Sequence, residues 1–205
     1  MTDAHRRWVH GFRQGIFESQ FLARRAPDKP ILLSFDLPEM PQPPSVIREL
    51  LAAAALQCIY EHARAEYPRE CCGFIHSSGI VVKCRNAQDD FHAADPDEYP
   101  RTSANGYCFG MTDQLLIAKS MDAADPVRII YHSHPDAGAE FSNADRQAAL
   151  FDGRPAYSDL SYLVIDCRAS GVAGAELYEF QSGDFRLSAR FAGDEHCSPE
   201  GMPAC

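Results

Sequence analysis

The chain has 205 residues, 45% of them hydrophobic and 23% charged, which suits one domain with its own core plus about forty residues of extension and excludes two full-sized domains. A formal charge of −10 at pH 7 and a pI near 5.2 exclude a nucleic-acid partner bound through its phosphates, because the Lys/Arg surface that releases counterions is missing. Eight cysteines, at 58, 71, 72, 84, 108, 167, 197 and 205, form no CxxC pair and no regular spacing, so they do not read as a disulfide framework.

Several of those cysteines sit in apolar runs, where Cys packs as a small hydrophobe. The neighbours Cys71 and Cys72 are read that way, and nucleophilic catalysis by either would need a His base that the sequence does not place. Residues 1–7 lack the apolar stretch of a signal peptide, and no segment approaches the roughly 18 apolar residues of a membrane span. The expectation is a reducing, cytoplasmic setting with no membrane partner.

In chain order, Trp8, Val9, Phe12, Ile16, Phe17, Phe21 and Leu22 recur at helical intervals among five arginines, predicting an amphipathic helix. Such a helix packs on its own domain, forms a homodimer contact or holds a protein partner. Residues 31–37 read as a short strand and residues 38–44 as a stiff proline-rich connector. The boundary falls near residue 44, with residues 1–44 an extension, residues 45–192 the domain and residues 193–205 a disordered tail lacking periodicity.

Ser45 is a candidate N-cap for one helix reaching about Glu66, with Val46, Ile47, Leu50, Leu51, Ala54, Ala55, Cys58, Ile59 and His62 along its buried face. Strands over 72–76 and 80–85 form a hairpin about Ser77-Ser78-Gly79. Residues 86–105 are a long polar connector of the kind that is functional or mobile. A short strand over 107–110, a helix from Thr112 to about Ala124, a buried strand over 127–132, a helix over 143–150 and a strand over 160–167 follow. A last hairpin pairs 175–181 with 184–191. Interleaving without regular alternation predicts an α/β or α+β domain with a mixed sheet.

The chemistry concentrates in residues 131–145. Side chains at i and i+2 of a strand share a side, so His132 and His134 aim at one point beyond the strand end; Pro135 is expected to end the ladder. A catalytic zinc takes three protein ligands and leaves a fourth position open, and Asp145, one turn into the next helix, can supply the third. Ser142-x-x-Asp145 equally resembles a capping box, which alone accounts for both residues. His62 reads as core packing, His76 as a turn residue, and His5 and His10 as members of the first helix.

The string His132-Ser133-His134-Pro135 with Ser142 and Asp145 resembles the JAMM motif of MPN-domain metalloproteases. Tyr67-Pro68-Arg69-Glu70-Cys71-Cys72-Gly73-Phe74-Ile75 is similar to the stretch that carries the family glutamate in the compact prokaryotic branch. The resemblance implies an MPN/cytidine-deaminase-like mixed sheet flanked by helices and one Zn²⁺ per chain on His132, His134 and Asp145. It also implies Glu70 as general base and Ser142 as donor to the oxyanion.

The implied activity is a peptidase or isopeptidase acting on the C-terminal tail of a ubiquitin-like protein, its conjugate or a sulfur carrier. Residues 86–105, with His92 and Tyr107 as candidates, and residues 153–158 are expected to grip that tail. Two alternatives stand behind it. One is a phage-tail-type member that accompanies a cell-wall peptidase, set back because no second catalytic domain is seen. The other is a non-catalytic MPN scaffold, set back because scaffold members usually lack ligands.

Overall fold

A computed structural model describes residues 46–194. The expected N-terminal helix, the strand over 31–37, the proline-rich connector, the Ser45 cap and residues 195–205 of the expected tail lie outside the described residues. The elements are α1 (Val46–Glu49), α2 (Ala53–Glu66), β1 (Cys72–His76), β2 (Val81–Cys84), α3 (Gln88–Ala94), α4 (Met111–Ser120) and β3 (Val127–Pro135), then α5 (Asn143–Ala149), β4 (Leu150–Phe151), β5 (Arg154–Pro155), β6 (Ser161–Arg168), β7 (Gly171–Gln181) and β8 (Asp184–Ala192).

Six strands build one sheet in the order β2-β1-β3-β6-β7-β8, with β4 and β5 a separate ribbon. Only β3 and β6 run parallel; the other neighbours are antiparallel. A parallel pair needs a crossover, and here α5 and the β4–β5 ribbon form it. The mixed sheet with flanking helices is the fold class the sequence predicts.

Both faces of the central strands are covered, which is why residues 127–132 read as one apolar run. Ile75, Ile129, Tyr131, Leu163 and Ile165 pack with Ile59, Tyr60 and Ala63 of α2. Phe74, Ile130, Tyr162 and Val164 pack with Ile117 of α4 and Ala149 of α5. Along β1, β6 and β3 from Ile129 onward the even-numbered residues therefore face α4 and α5 and the odd-numbered ones face α2, while Val127, beyond the register shift at Ile75 and His76, packs on the α4/α5 side. That parity decides which side chains reach the site.

The sequence reading is corrected at several points. The single helix expected over 46–66 is two, because Leu50 and Leu51 take tight turns onto the carbonyls of Ile47 and Arg48 and seat Leu51 in the core; no Gly or Pro marks the break. The connector 86–105 contains α3. The strand expected over 107–110 is a single bridge, Asn86 to Phe109. β7 begins at Gly171, ahead of the expected start.

Pro135 does not stop β3. The strand pairs through it, with Cys167 opposite, while pairing with β1 ends at Cys72 and His132. The Ser133 N–H points toward β1 and meets the Cys71 carbonyl at 3.1 Å. By alternation the missing N–H of Pro135 faces that same side, where no strand remains, so the ladder loses nothing.

Candidate metal centre

His132 and His134 occupy even positions at the C-terminal end of β3, so both imidazoles emerge on the α4/α5 face. Asp145 arrives from the first turn of α5. That helix start is anchored by Phe141, whose ring lies 5.1 Å from Tyr162, 5.4 Å from Tyr178 and 5.1 Å from Phe185. Aromatic packing thus sets where the carboxylate meets the strand end.

The donors converge. His132 Nε2 and His134 Nε2 are 3.1 Å apart, and the Asp145 oxygens lie 3.4 Å from the first and 3.5 Å from the second. A tetrahedral zinc with bonds of 2.0–2.1 Å has ligand edges of about 3.3 Å, and the distance between the two imidazole nitrogens and that from each imidazole to one Asp145 oxygen, Oδ1 for His132 and Oδ2 for His134, are of that size. His132, His134 and Asp145 are also a group of His, Cys, Asp and Glu residues among the described residues whose ligand atoms all lie within 4.8 Å.

Charge states suit ligation at His132 and Asp145, while His134 is held toward its protonated form by the two carboxylates beside it. Burial holds the His132 imidazole below its ordinary range despite Asp145, leaving it neutral as a ligand must be. Burial opposes ionisation of Asp145, but hydrogen bonds from both imidazoles win and hold its carboxyl well below the usual range. His134 is pulled down by burial, yet Asp145 and Glu70 outweigh this and raise it.

Each donor is aimed by a different device. Gly138, at φ 80°, turns its carbonyl toward His134 Nδ1 at 3.2 Å, which directs Nε2 inward. His132 Nδ1 is buried with no hydrogen-bond partner; Tyr107 instead stacks on that ring, centroids 4.4 Å apart at 23°. The capping box and the ligand role of Asp145 coexist. The Ser142 N–H donates to Asp145 Oδ2 at 2.8 Å, and the Asp145 N–H donates to Ser142 Oγ at 3.2 Å.

Glu70 lies on the segment entering β1. Continuing the antiparallel register past Cys72 and His132 sets it opposite His134, on the even face. It is 5% exposed, and burial is the main cause that pushes its carboxyl up to about 7, with Asp145 adding and His134 and Arg101 opposing. Its backbone is pinned by Ser103 O at 2.7 Å and by the Asn86 amide on its carbonyl at 2.9 Å.

The remaining candidates divide. Tyr107 reaches the site as a ring on a ligand. His92 does not: its Nδ1 is engaged by Tyr99 O at 2.7 Å within the connector. His62 bonds Tyr131 Oη at 3.0 Å and His76 the Asp125 carbonyl at 2.8 Å, both structural as expected. Cys71 and Cys72 are fully buried, and burial pushes the Cys71 thiol up to about 12 and the Cys72 thiol higher still, which removes them as nucleophiles. Gly138, Asn86 and Arg101 were missed; only Gly138, in a Pro-x-x-Gly turn between ligands, left a local signal.

Fold and donor set together define a mixed α+β domain with a His-His-Asp group at the end of its central strand that could hold a metal ion. Residues 52–180 match the family of prokaryotic homologs of the JAB domain, and the chain belongs to that family. It is 35% identical over 94 residues to the tail tip assembly protein K of Escherichia phage N15, a match covering 44% of this chain and 32% of that protein. The chain thus corresponds to about a third of that relative.

Two solution structures are also similar. One, of a protein from Desulfitobacterium hafniense, is 19% identical with a TM-score of 0.47, covering 66% of this chain and 86% of that one. The other, from Salinibacter ruber, is 16% identical with a TM-score of 0.40, covering 74% and 93%. Among the described residues no helix is long and apolar enough to cross a membrane.

Proposed function

We propose that the chain is a zinc-dependent hydrolase that cleaves an amide bond at the C-terminal tail of a ubiquitin-like protein or its conjugate. The observation that carries this reading is Glu70: a buried carboxyl titrating near 7 beside a converging three-ligand centre. Bound by His132, His134 and Asp145, one zinc per chain would supply a charge that acidifies water and polarises a carbonyl.

Glu70 takes a proton from the attacking water and returns it to the departing amine, the two transfers a buried carboxyl beside the metal can serve. The Ser142 hydroxyl accepts the Asp145 N–H, which leaves its own proton free to donate to the carbonyl oxygen as charge develops there. Gly138, Tyr107 and the Ser142 N–H hold the donors in place. The connector 86–105 and residues 153–158 are assigned to gripping the tail. In the test, a zinc-loaded chain cleaves a ubiquitin-like protein carrying a short extension, read by mass spectrometry, and Glu70→Gln retains zinc without cleaving. Full activity of that variant removes Glu70 from the mechanism.

One observation favours a second reading, the likeness to a phage tail tip assembly protein: a domain that works in tail assembly, as a peptidase or as a scaffold. Metal content separates them. Far less than one zinc per chain after purification without chelator, with no zinc-dependent cleavage, favours the scaffold.

A further inference from the structure

The ladder that sets the two histidines stops short of the proposed base. Its last bonds join Ser133 to Cys71: the Cys71 N–H donates to Ser133 Oγ at 2.9 Å, and the Ser133 N–H to the Cys71 carbonyl at 3.1 Å. Glu70 is one residue further out and lies ahead of β1. Its peptide must therefore be fixed by something other than the sheet.

The connector fixes it from both sides. The Glu70 N–H donates to Ser103 O at 2.7 Å, and Ser103 is held in turn by Asp89, whose oxygens accept its N–H at 2.7 Å and its hydroxyl at 2.6 Å. On the other side Asn86 Nδ2 donates to the Glu70 carbonyl at 2.9 Å and to the Gly106 carbonyl at 3.0 Å. Asn86 Oδ1 accepts the N–H of Gln88 at 2.9 Å and that of Cys108 at 3.1 Å. A side-chain amide has two N–H donors and one oxygen with two lone pairs, so every bond Asn86 can make is made, and each goes to backbone.

The two arms of that amide do different work. The oxygen gathers the connector, joining the start of α3 at Gln88 to the returning chain at Cys108. The nitrogen ties Glu70 to Gly106, the residue before Tyr107, whose ring lies 4.4 Å from that of His132. One side chain thus links the base to the ring packed on a ligand. A carboxylate in its place would keep the accepting arm and lose the donating one.

We propose that Asn86 is the positioning residue of the base: its donating arm fixes the Glu70 peptide and, with it, the place of the carboxyl. This rests on the hydrolase reading above. Asn86 acts through Glu70 and touches neither substrate nor metal. A base must lie within hydrogen-bond reach of the proton it takes, and a misplacement of about 1 Å costs about a hundred-fold in rate.

The test uses the zinc-loaded chain and a ubiquitin-like protein with a short C-terminal extension, cleavage being read by mass spectrometry. In Asn86→Asp, kcat falls about ten- to a hundred-fold while KM and zinc content stay within about two-fold of wild type. Where Asn86→Asp does not fold, Asn86→Ala replaces it, with the same fall in kcat and a rise in KM as the connector loosens. Ser120→Ala removes a buried hydroxyl from the Val127 N–H at the other end of β3; it measures lost stability alone and keeps wild-type kcat per bound zinc. Wild-type kcat in the Asn86 variant, or an equal fall in Ser120→Ala, overturns the proposal and leaves the hydrolase reading standing. If wild type cleaves nothing, the hydrolase reading fails and a double-mutant cycle on the chelator-treated protein decides for Asn86. Glu70→Gln raises the urea midpoint at pH 8, and in the Asn86→Ala background that rise shrinks by about half or more. An undiminished rise removes Asn86 from the placement of Glu70.

Discussion

Replacing Glu70 by Gln should stabilise the metal-free protein, and the gain should depend on pH. The carboxyl rises from an ordinary 4.5 to about 7 in the fold, chiefly by burial. At 1.36 kcal/mol per pH unit this corresponds to about 3 kcal/mol. The folded pKa is raised, so the folded state keeps its proton between 4.5 and 7 while the unfolded chain gives it up. Stability is then full below about pH 4.5 and falls as pH rises through 7. Glutamine carries no such dependence, and its own desolvation cost is the same at every pH. Urea denaturation of chelator-treated wild type and Glu70→Gln at pH 4, 6 and 8 should show their difference growing by about 3 kcal/mol in favour of the variant. A constant difference across that range, or one that grows in favour of wild type, refutes the claim that the base is held in place against its own desolvation.

Four further outcomes follow from the geometry. Ser142→Ala should cost about 1 kcal/mol by loss of the cap and keep zinc, whereas Asp145→Ala should lose zinc as well; chelator competition with urea melts separates the two roles. Tyr107→Ala should weaken zinc affinity about ten-fold by freeing the His132 ring, and Tyr107→Phe should restore it; an equal loss in both assigns the effect to the hydroxyl instead. Gly73→Ala should fail to fold or melt far below wild type by circular dichroism, since the new methyl would sit 2.3 Å from both Tyr131 Oη and Val82 O. Phe141→Ala should cost about 3–5 kcal/mol and, by releasing the start of α5, lower zinc affinity too.

What the sequence discloses of the site depends on how local each cause is. His132 and His134 are legible because two residues of one strand share a face wherever that strand goes. Asp145 and Ser142 are legible twice over, and the capping box does not compete with ligation: it fixes one carboxylate oxygen so that the group is aimed. Glu70 becomes predictable only when the β1–β3 register is known, since parity then places it on the even face opposite His134. The ring of Tyr107 over His132 is tertiary and leaves no periodic trace. The break at Leu50 and Leu51 is likewise set by the core that receives Leu51, and Pro135 misleads because a lost N–H matters only on a side where a strand waits.

Ser133 lies between the two histidines and points the other way. Its hydroxyl accepts the Cys71 N–H at 2.9 Å while its own N–H meets the Cys71 carbonyl at 3.1 Å, closing a two-way clasp where the β1–β3 ladder runs out. The residue before Cys71 is the proposed base, and those flanking Ser133 are the proposed ligands. Base and ligands are therefore parts of one rigid casting, whose relative placement a substrate cannot alter by pushing. Adaptation to a new substrate must come from elsewhere, in the stretch of the connector between Asn86 and Ser103, whose two ends are tied to the Glu70 backbone.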